Sequence, residues 1–241
     1  MGKDGSGRRA EEGGLAGVER SVYGRRYGRP MRRERREALE QHLSKIQIEL
    51  PSEGQLDLKS VFGPEISEVW LEIGAGNGDH AVWQAERNPH IGVLAVEPYM
   101  NGVANLTVAA RKRGLANIRV LADDARLLLA RLPPGSISRT FILFPDPWPK
   151  RRHWRRRIIC EDVLDRVAEA MPRGAELRIG TDHADYLVWI LRVLQRHPAF
   201  HWRPTCAADW KQRPDDWPET RFEAKGWEAG RASTYLSLTR A

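Results

Sequence analysis

At 241 residues with 41% apolar content, the chain is long enough to bury one sizeable core, and its length favours a single domain. No stretch approaches the roughly 20 apolar residues of a membrane span, the N-terminus carries no apolar run of the secretory type, and Cys160 and Cys206 stand far apart without metal-site spacing. A membrane protein and a disulfide scaffold are therefore excluded as expectations, no metal site is expected, and a reducing cytoplasm is the expected home.

The net charge of +7 is unevenly placed. Residues 1–36 hold 11 Lys/Arg against 5 Asp/Glu, and Lys150–Arg157 holds six more cations and no acid, which leaves the remainder at −5. Basic patches on an acidic body are what a polyanion such as nucleic acid reads. Residues 1–36 are rich in Gly, Arg and Glu without apolar periodicity, which predicts a disordered basic tail ahead of a single catalytic domain at 37–241.

Beyond the tail, short apolar runs alternate with helical stretches. Val69–Ile73 reads as a strand, followed by a glycine turn and a helix from Asp79 to Arg87. Ile91–Val96 is a second strand and Tyr99–Arg113 a second helix; Ile118–Ala122 is a third strand, with a short helix through Leu127–Leu132. Pro133-Pro134-Gly135 is a turn. Phe141–Phe144 gives a fourth strand, and Ile159, Val163, Val167 and Met171 mark one helical face. Leu177–Ile179 is a fifth strand, Tyr186, Leu187, Ile190, Leu191 and Leu194 share a helix face, and Thr234–Thr239 closes the chain as a strand. Such alternation predicts an α/β fold whose parallel sheet is covered by helices on both faces. Ligands in such sheets bind at the carboxyl ends of the strands.

Those ends are acidic. Glu72, Glu97, Asp123, Asp124, Asp146 and Asp182 each finish a predicted strand, and Asp79 opens the first helix after the glycine turn. One of them alone reads equally well as a helix N-cap; the set together calls for a cationic ligand or a metal. Gly74-Ala75-Gly76-Asn77-Gly78-Asp79 approaches a dinucleotide fingerprint but places Asp79 where a pyrophosphate would meet the helix terminus. S-adenosylmethionine carries a sulfonium and an ammonium instead of phosphates, and Gly74, Gly76 and Gly78 would let it approach the backbone. Glu97 is placed for the ribose hydroxyls, a role shared with NAD folds, and Asp124 for the adenine amino group.

After the fourth strand come Phe144-Pro145-Asp146-Pro147-Trp148-Pro149-Lys150 and the run Arg151, Arg152, His153, Trp154, Arg155, Arg156, Arg157. Prolines on both sides fix the carboxylate of Asp146. Arginines suit phosphate contacts, and Trp148 and Trp154 read either as base-stacking or as packing residues. Trp202, Trp210, Trp217 and Trp227 fall in a segment of poor periodicity and read mostly as packing.

The motif F-P-D-P-W-P-K-x-R-H-x-x-R-R, here Phe144–Arg157, resembles the signature of the bacterial tRNA (guanine-N7)-methyltransferases. The resemblance continues through Leu71–Gly78, Ala95–Glu97, Asp124-Ala125, Gly180–Asp182 and Pro218–Gly226, covering about residues 65–240. It implies a Rossmann-like class I methyltransferase with a mostly parallel seven-stranded sheet, S-adenosylmethionine as cofactor, and methyl transfer to a guanine N7 in the variable loop of tRNA. By the same resemblance Glu72, Glu97, Asp124 and Asp146 bind cofactor, Asp146 is also catalytic, and Lys150, Asp182, Thr220, Arg221, Phe222 and Glu223 bind substrate. Arg151, Arg152, Arg155, Arg156 and Arg157 are expected on the RNA backbone. Trp217 departs from the family, which commonly has Arg there.

Guanine N7 offers a lone pair and no proton, so attack on the methyl needs no base. A fixed carboxylate can favour the charge that develops on the purine and accept from its N1–H and N2–H, a role expected for Asp146 with help from Asp182 and Glu223. The competing readings are a methyltransferase of another RNA or of protein, a non-catalytic RNA-binding protein, and an NAD-dependent oxidoreductase, which Asp79 disfavours. A monomer and a homodimer are both compatible with the sequence.

Overall fold

The computed structural model describes residues 22–241. Residues 22–32, which form no helix or strand, lead into helix α1 (Arg33–Ile46), and a short helix α2 (Leu58–Phe62) precedes the first strand, β1 (Glu68–Ile73). Then follow α3 (Asp79–Arg87), β2 (Ile91–Val96), α4 (Met100–Arg113), β3 (Ile118–Leu121), α5 (Ala125–Leu129) and β4 (Arg139–Leu143). The basic run forms a 3-10 turn over Arg151–Arg156. The chain continues as α6 (Glu161–Ala170), β5 (Glu176–Thr181), α7 (Ala184–Arg196) and β6 (Phe200–His201). It ends in α8 (Ala208–Lys211), α9 (Arg221–Glu228) and β7 (Thr234–Arg240).

The strands form one seven-stranded sheet in the order β3-β2-β1-β4-β5-β7-β6. β1 through β5 pair in parallel, and β7 runs antiparallel to both β5 and β6. The strand missing from the residue pattern is β6, whose two residues are too short to show a period.

Strand alternation divides the core between the faces. Leu71, Leu94, Ile142, Leu177 and Ile179 meet α5, α6 and α7, through residues such as Val163, Val167, Tyr186 and Ile190. Val93, Ala95, Ile118 and Val120 meet α1, α3 and α4, through Leu43, Ala81, Val103 and Leu106. A third cluster, Trp70, Phe141, Leu143, Trp217 and Tyr235, lies beside the second. Trp217 is thus a core residue: it is buried, and its ring meets Tyr235 edge-on at 5.2 Å. No helix among the described residues is long and apolar enough to cross a membrane.

The expected tail boundary at residue 36 lies inside α1. Residues 22–32 are anchored on α4: Met100 N–H donates to Arg26 O at 2.9 Å, Gly28 N–H to Asn101 Oδ1 at 3.0 Å, and Asn101 Nδ2 to Arg29 O at 2.9 Å. Asn101 is the signal that composition alone could not show. Residues 1–21 of the expected tail lie outside the described residues.

Candidate active site

The sheet order reverses between β1 and β4, so the loops that leave these two strands face each other across a crevice. The β1 loop is the glycine turn, with Gly74, Gly76 and Gly78 at φ 79, 56 and 80°, values that favour glycine. Gly78 serves packing: a Cβ there would lie 2.8 Å from the Leu106 side chain. At Gly74 a Cβ would meet nothing within 4 Å. The β4 loop is Phe144–Pro149, and its Phe144 and Trp148 have φ of 49 and 43°, positive values that are uncommon away from glycine.

Between these loops lies a cavity of about 430 Å³, within the usual size range of small-molecule sites. Gly74, Gly76, Glu97, Asp124, Asp146 and Phe222 are among its walls, and residues 22–25 close one side. Glu97 is held from both ends, Oε2 accepting Gly76 N–H at 2.7 Å and Oε1 accepting Tyr99 N–H at 2.8 Å. Burial raises its pKa; the two hydrogen bonds oppose the rise, and the charges of Asp146 and Glu72 add to it. Asp124 caps α5 through the Arg126 N–H at 2.9 Å. Asp146 is exposed at the mouth, and desolvation raises its pKa. The walls are not acidic alone: Arg25, Arg126 and Arg156 also line the cavity, so three guanidiniums face three carboxylates.

Glu72 stands one layer behind, on a small adjoining hollow that it shares with Asp79, Thr220 and Phe222. It is buried and its Oε2 lies 2.8 Å from His80 Nδ1. Gln84 Nε2 lies 3.1 Å from His80 Nε2 and donates to Asp216 O at 2.7 Å. A donor at Nε2 leaves the ring proton on Nδ1, where it meets Glu72. Asp79 does not line the main cavity; Arg221 Nη2 approaches its Oδ1 at 3.2 Å. Asp79 begins α3 directly after the glycine turn, the position the sequence predicts for it, and lines the adjoining hollow.

The basic run leaves the mouth of the cavity. Arg151, Arg152 and Arg155 are exposed, and Arg156 lies over the rings of Trp148 and Tyr23 at 4.9 and 5.2 Å. Past β5, Asp182 lines a separate hollow with His183 and Arg231, whose Nε donates to Asp182 Oδ2 at 2.8 Å.

A methyltransferase family model matches residues 67–236. The chain is 43% identical over 220 residues to the tRNA (guanine-N(7)-)-methyltransferase of Azorhizobium caulinodans, covering 91% of this chain and 95% of that one. It is 42% identical to the enzyme of the same name from Rhodospirillum rubrum, covering 90% and 87%. The chain belongs to the tRNA (guanine-N7)-methyltransferase family. The fold agrees with solved methyltransferases. An antibiotic-related methyltransferase superposes with a TM-score of 0.53 at 13% identity, covering 78% of this chain and 96% of that chain. TrmN of Thermus thermophilus superposes with a TM-score of 0.52 at 18% identity, covering 76% and 47%.

Within this methyltransferase, Gly74, Gly76, Glu97, Asp124 and Asp146 come together in one cavity, whereas Glu72 reaches it through the adjoining hollow and Gly78 packs against α4. Lys150 is exposed at the start of the basic run. Two expectations are corrected. Thr220 and Glu223 form a capping box on α9, and Glu223 is 0% exposed, with Oε2 accepting Thr220 N–H and Oε1 accepting the Tyr235 hydroxyl at 2.7 Å. Glu223 is closed off in this cap, whereas Thr220 lines the small hollow beside Glu72; from that tetrad Arg221 and Phe222 reach solvent, Phe222 being 52% exposed. Arg157, expected on the RNA backbone, is 2% exposed and so stands apart from the exposed arginines of the run. Residues 22–25 and His80 were missed; His80 carried only the weak signal of a histidine four residues before Gln84 on a predicted helix. Of the late tryptophans, Trp202 and Trp210 pack edge-on at 5.9 Å, while Trp227 is 44% exposed beside Arg213.

Proposed function

We propose that this chain transfers the methyl group of S-adenosylmethionine to N7 of a guanine in tRNA. One observation carries the reading: a carboxylate set between two prolines, Asp146, stands at the mouth of a glycine-turn cavity and beside an exposed arginine run. When bound, S-adenosylmethionine supplies an electrophilic methyl on a sulfonium. Glu97, already held by two backbone N–H groups, has lone pairs left for the ribose hydroxyls. The φ of 79° at Gly74 and its open space allow close approach of the amino-acid portion, with Glu72 behind it.

Asp146 accepts from the base and stabilises the charge that moves onto the purine, and nothing needs to remove a proton from N7. With Glu223 closed into its cap, Asp182 is the remaining acid of the expected trio, and Arg231 holds it in place. Arg151, Arg152 and Arg155 would meet phosphates in the cytoplasm, where tRNA is found.

The test is incubation with labelled S-adenosylmethionine and total tRNA, followed by nucleoside analysis. Label is expected in 7-methylguanosine, and Asp146→Ala is expected to lower turnover by about 100-fold while retaining the wild-type unfolding temperature. Label in another nucleoside would refute the N7 specificity, and near-wild-type methylation by Asp146→Ala would refute the role given to that carboxylate.

A further inference from the structure

We infer that Arg157 is a positioning residue that holds the Asp146 loop from beneath, an inference that rests on the catalytic reading of Asp146. By sequence Arg157 belongs to the basic run, yet its guanidinium is enclosed by aromatic rings: its central carbon lies 4.9 Å from the centroids of Trp154, Tyr186 and Trp189. From inside this cage Nε donates to Pro147 O at 2.9 Å. The cage is itself fixed, since Trp189 Nε1 donates to Ile159 O at 2.8 Å and the Tyr186 hydroxyl accepts Ile159 N–H at 3.4 Å.

The loop needs an outside anchor. Pro145, Pro147 and Pro149 have no N–H to donate, so the segment has few means of holding itself. It is tied upstream by Phe144 N–H, which donates to Gly180 O at 2.8 Å, and downstream by the Arg157 bond to Pro147 O. Asp146 lies between these two ties. Phe144 and Trp148, just outside Pro145 and Pro147, hold left-handed backbone that persists only where the surroundings over-determine it. Arginine suits the task because it presents two flat faces to rings while its edge donates; lysine keeps the charge but has neither the flat face nor a planar donor.

Three variants of the full chain separate this role from RNA contact: Arg157→Lys, the same change in an Asp146→Ala background, and Trp189→Leu, which removes one wall of the cage. Arg157→Lys is expected to lower kcat by roughly 10- to 100-fold at saturating tRNA. Its tRNA Kd is expected to stay within about twofold, with the salt dependence of that Kd unchanged. No further loss is expected in the Asp146→Ala background, because the arginine acts through that carboxylate. Trp189→Leu is expected to reproduce the fall in kcat without a change in Kd, and it decides the matter if Arg157→Lys does not fold. Wild-type kcat in the lysine variant or in Trp189→Leu, or a weakened Kd with a salt slope shallower by about one, overturns the inference. Full turnover by Asp146→Ala defeats the catalytic reading and this inference with it, whereas a crippled Asp146→Ala beside a fully active Arg157→Lys defeats the inference alone.

Discussion

Asp146 combines exposure at the cavity mouth with a pKa raised by desolvation. Its proposed work requires the ionised form, because only a carboxylate offsets a positive charge developing on the base. Protonation as pH falls therefore removes activity, and the raised pKa sets that loss at a higher pH than an ordinary aspartate would. The expected kcat profile has an acid limb above the usual aspartate range, and Asp146→Asn is expected to abolish that limb along with most of the turnover. An acid limb retained by the asparagine variant would assign the titration to another group. Single residues were legible in the sequence where chemistry and spacing agreed, as at Gly74, Glu97 and Asp146. They were less legible where one motif has two uses or a neighbour in space decides exposure. Thr220-Arg221-Phe222-Glu223 is a capping-box sequence as well as a family tetrad, and the structure uses its ends for the cap. Arg157 adjoins exposed arginines in sequence, but whether it faces solvent depends on Tyr186 and Trp189 of α7, some thirty residues on.

The elements around the site divide the work of its glycines. Gly78 begins α3 against α4, at φ 80° and with Leu106 where a Cβ would be. Gly78→Ala is expected to destabilise the protein by about 1–3 kcal/mol, read by chemical denaturation, because strain and overpacking act together. Gly74→Ala carries similar backbone strain at φ 79° but puts its methyl into open space, so it is expected to destabilise the protein less than Gly78→Ala and to weaken cofactor affinity as well. Similar unfolding midpoints for the two variants would contradict this division. A second tie joins distant elements: Asp216 meets Arg139 at 3.1 Å and Arg178 at 2.6 Å, and its backbone carbonyl accepts from Gln84. Burial opposes ionisation of Asp216, but Arg178 and Arg139 more than offset it and hold the pKa below the ordinary value. The tie therefore stabilises the fold above the normal aspartate range and weakens as pH falls through the lowered pKa. The parallel strands and their helices were legible because apolar period and turn residues agreed over whole segments. β6 was not, since Phe200–His201 gains its strand identity only from pairing with β7.

At the scale of the whole molecule, one of the two basic concentrations in the sequence, the 3-10 turn, lies beside the cavity, where Arg151, Arg152 and Arg155 are exposed. Replacing all three with Gln is expected to weaken tRNA binding without sequence preference. It is also expected to reduce the slope of log Kd against log salt by roughly 0.7–0.9 for each phosphate that is no longer neutralised. An unchanged slope would place the RNA on another surface. Composition located this patch correctly but treated residues 22–36 as part of a tail, because the partners that order them lie on α4.

That anchoring has a thermodynamic consequence. Residues 22–25 contribute a wall to the cavity, so a molecule held there favours the docked arrangement of the segment and shifts its local opening equilibrium. Backbone deuterium uptake at Gly28 and Met100, whose N–H groups bridge the segment and α4, is accordingly expected to slow as S-adenosylmethionine is titrated in. Occupancy of the methyl-donor site would thus be readable from amides within the first hundred residues, without following the reaction at all.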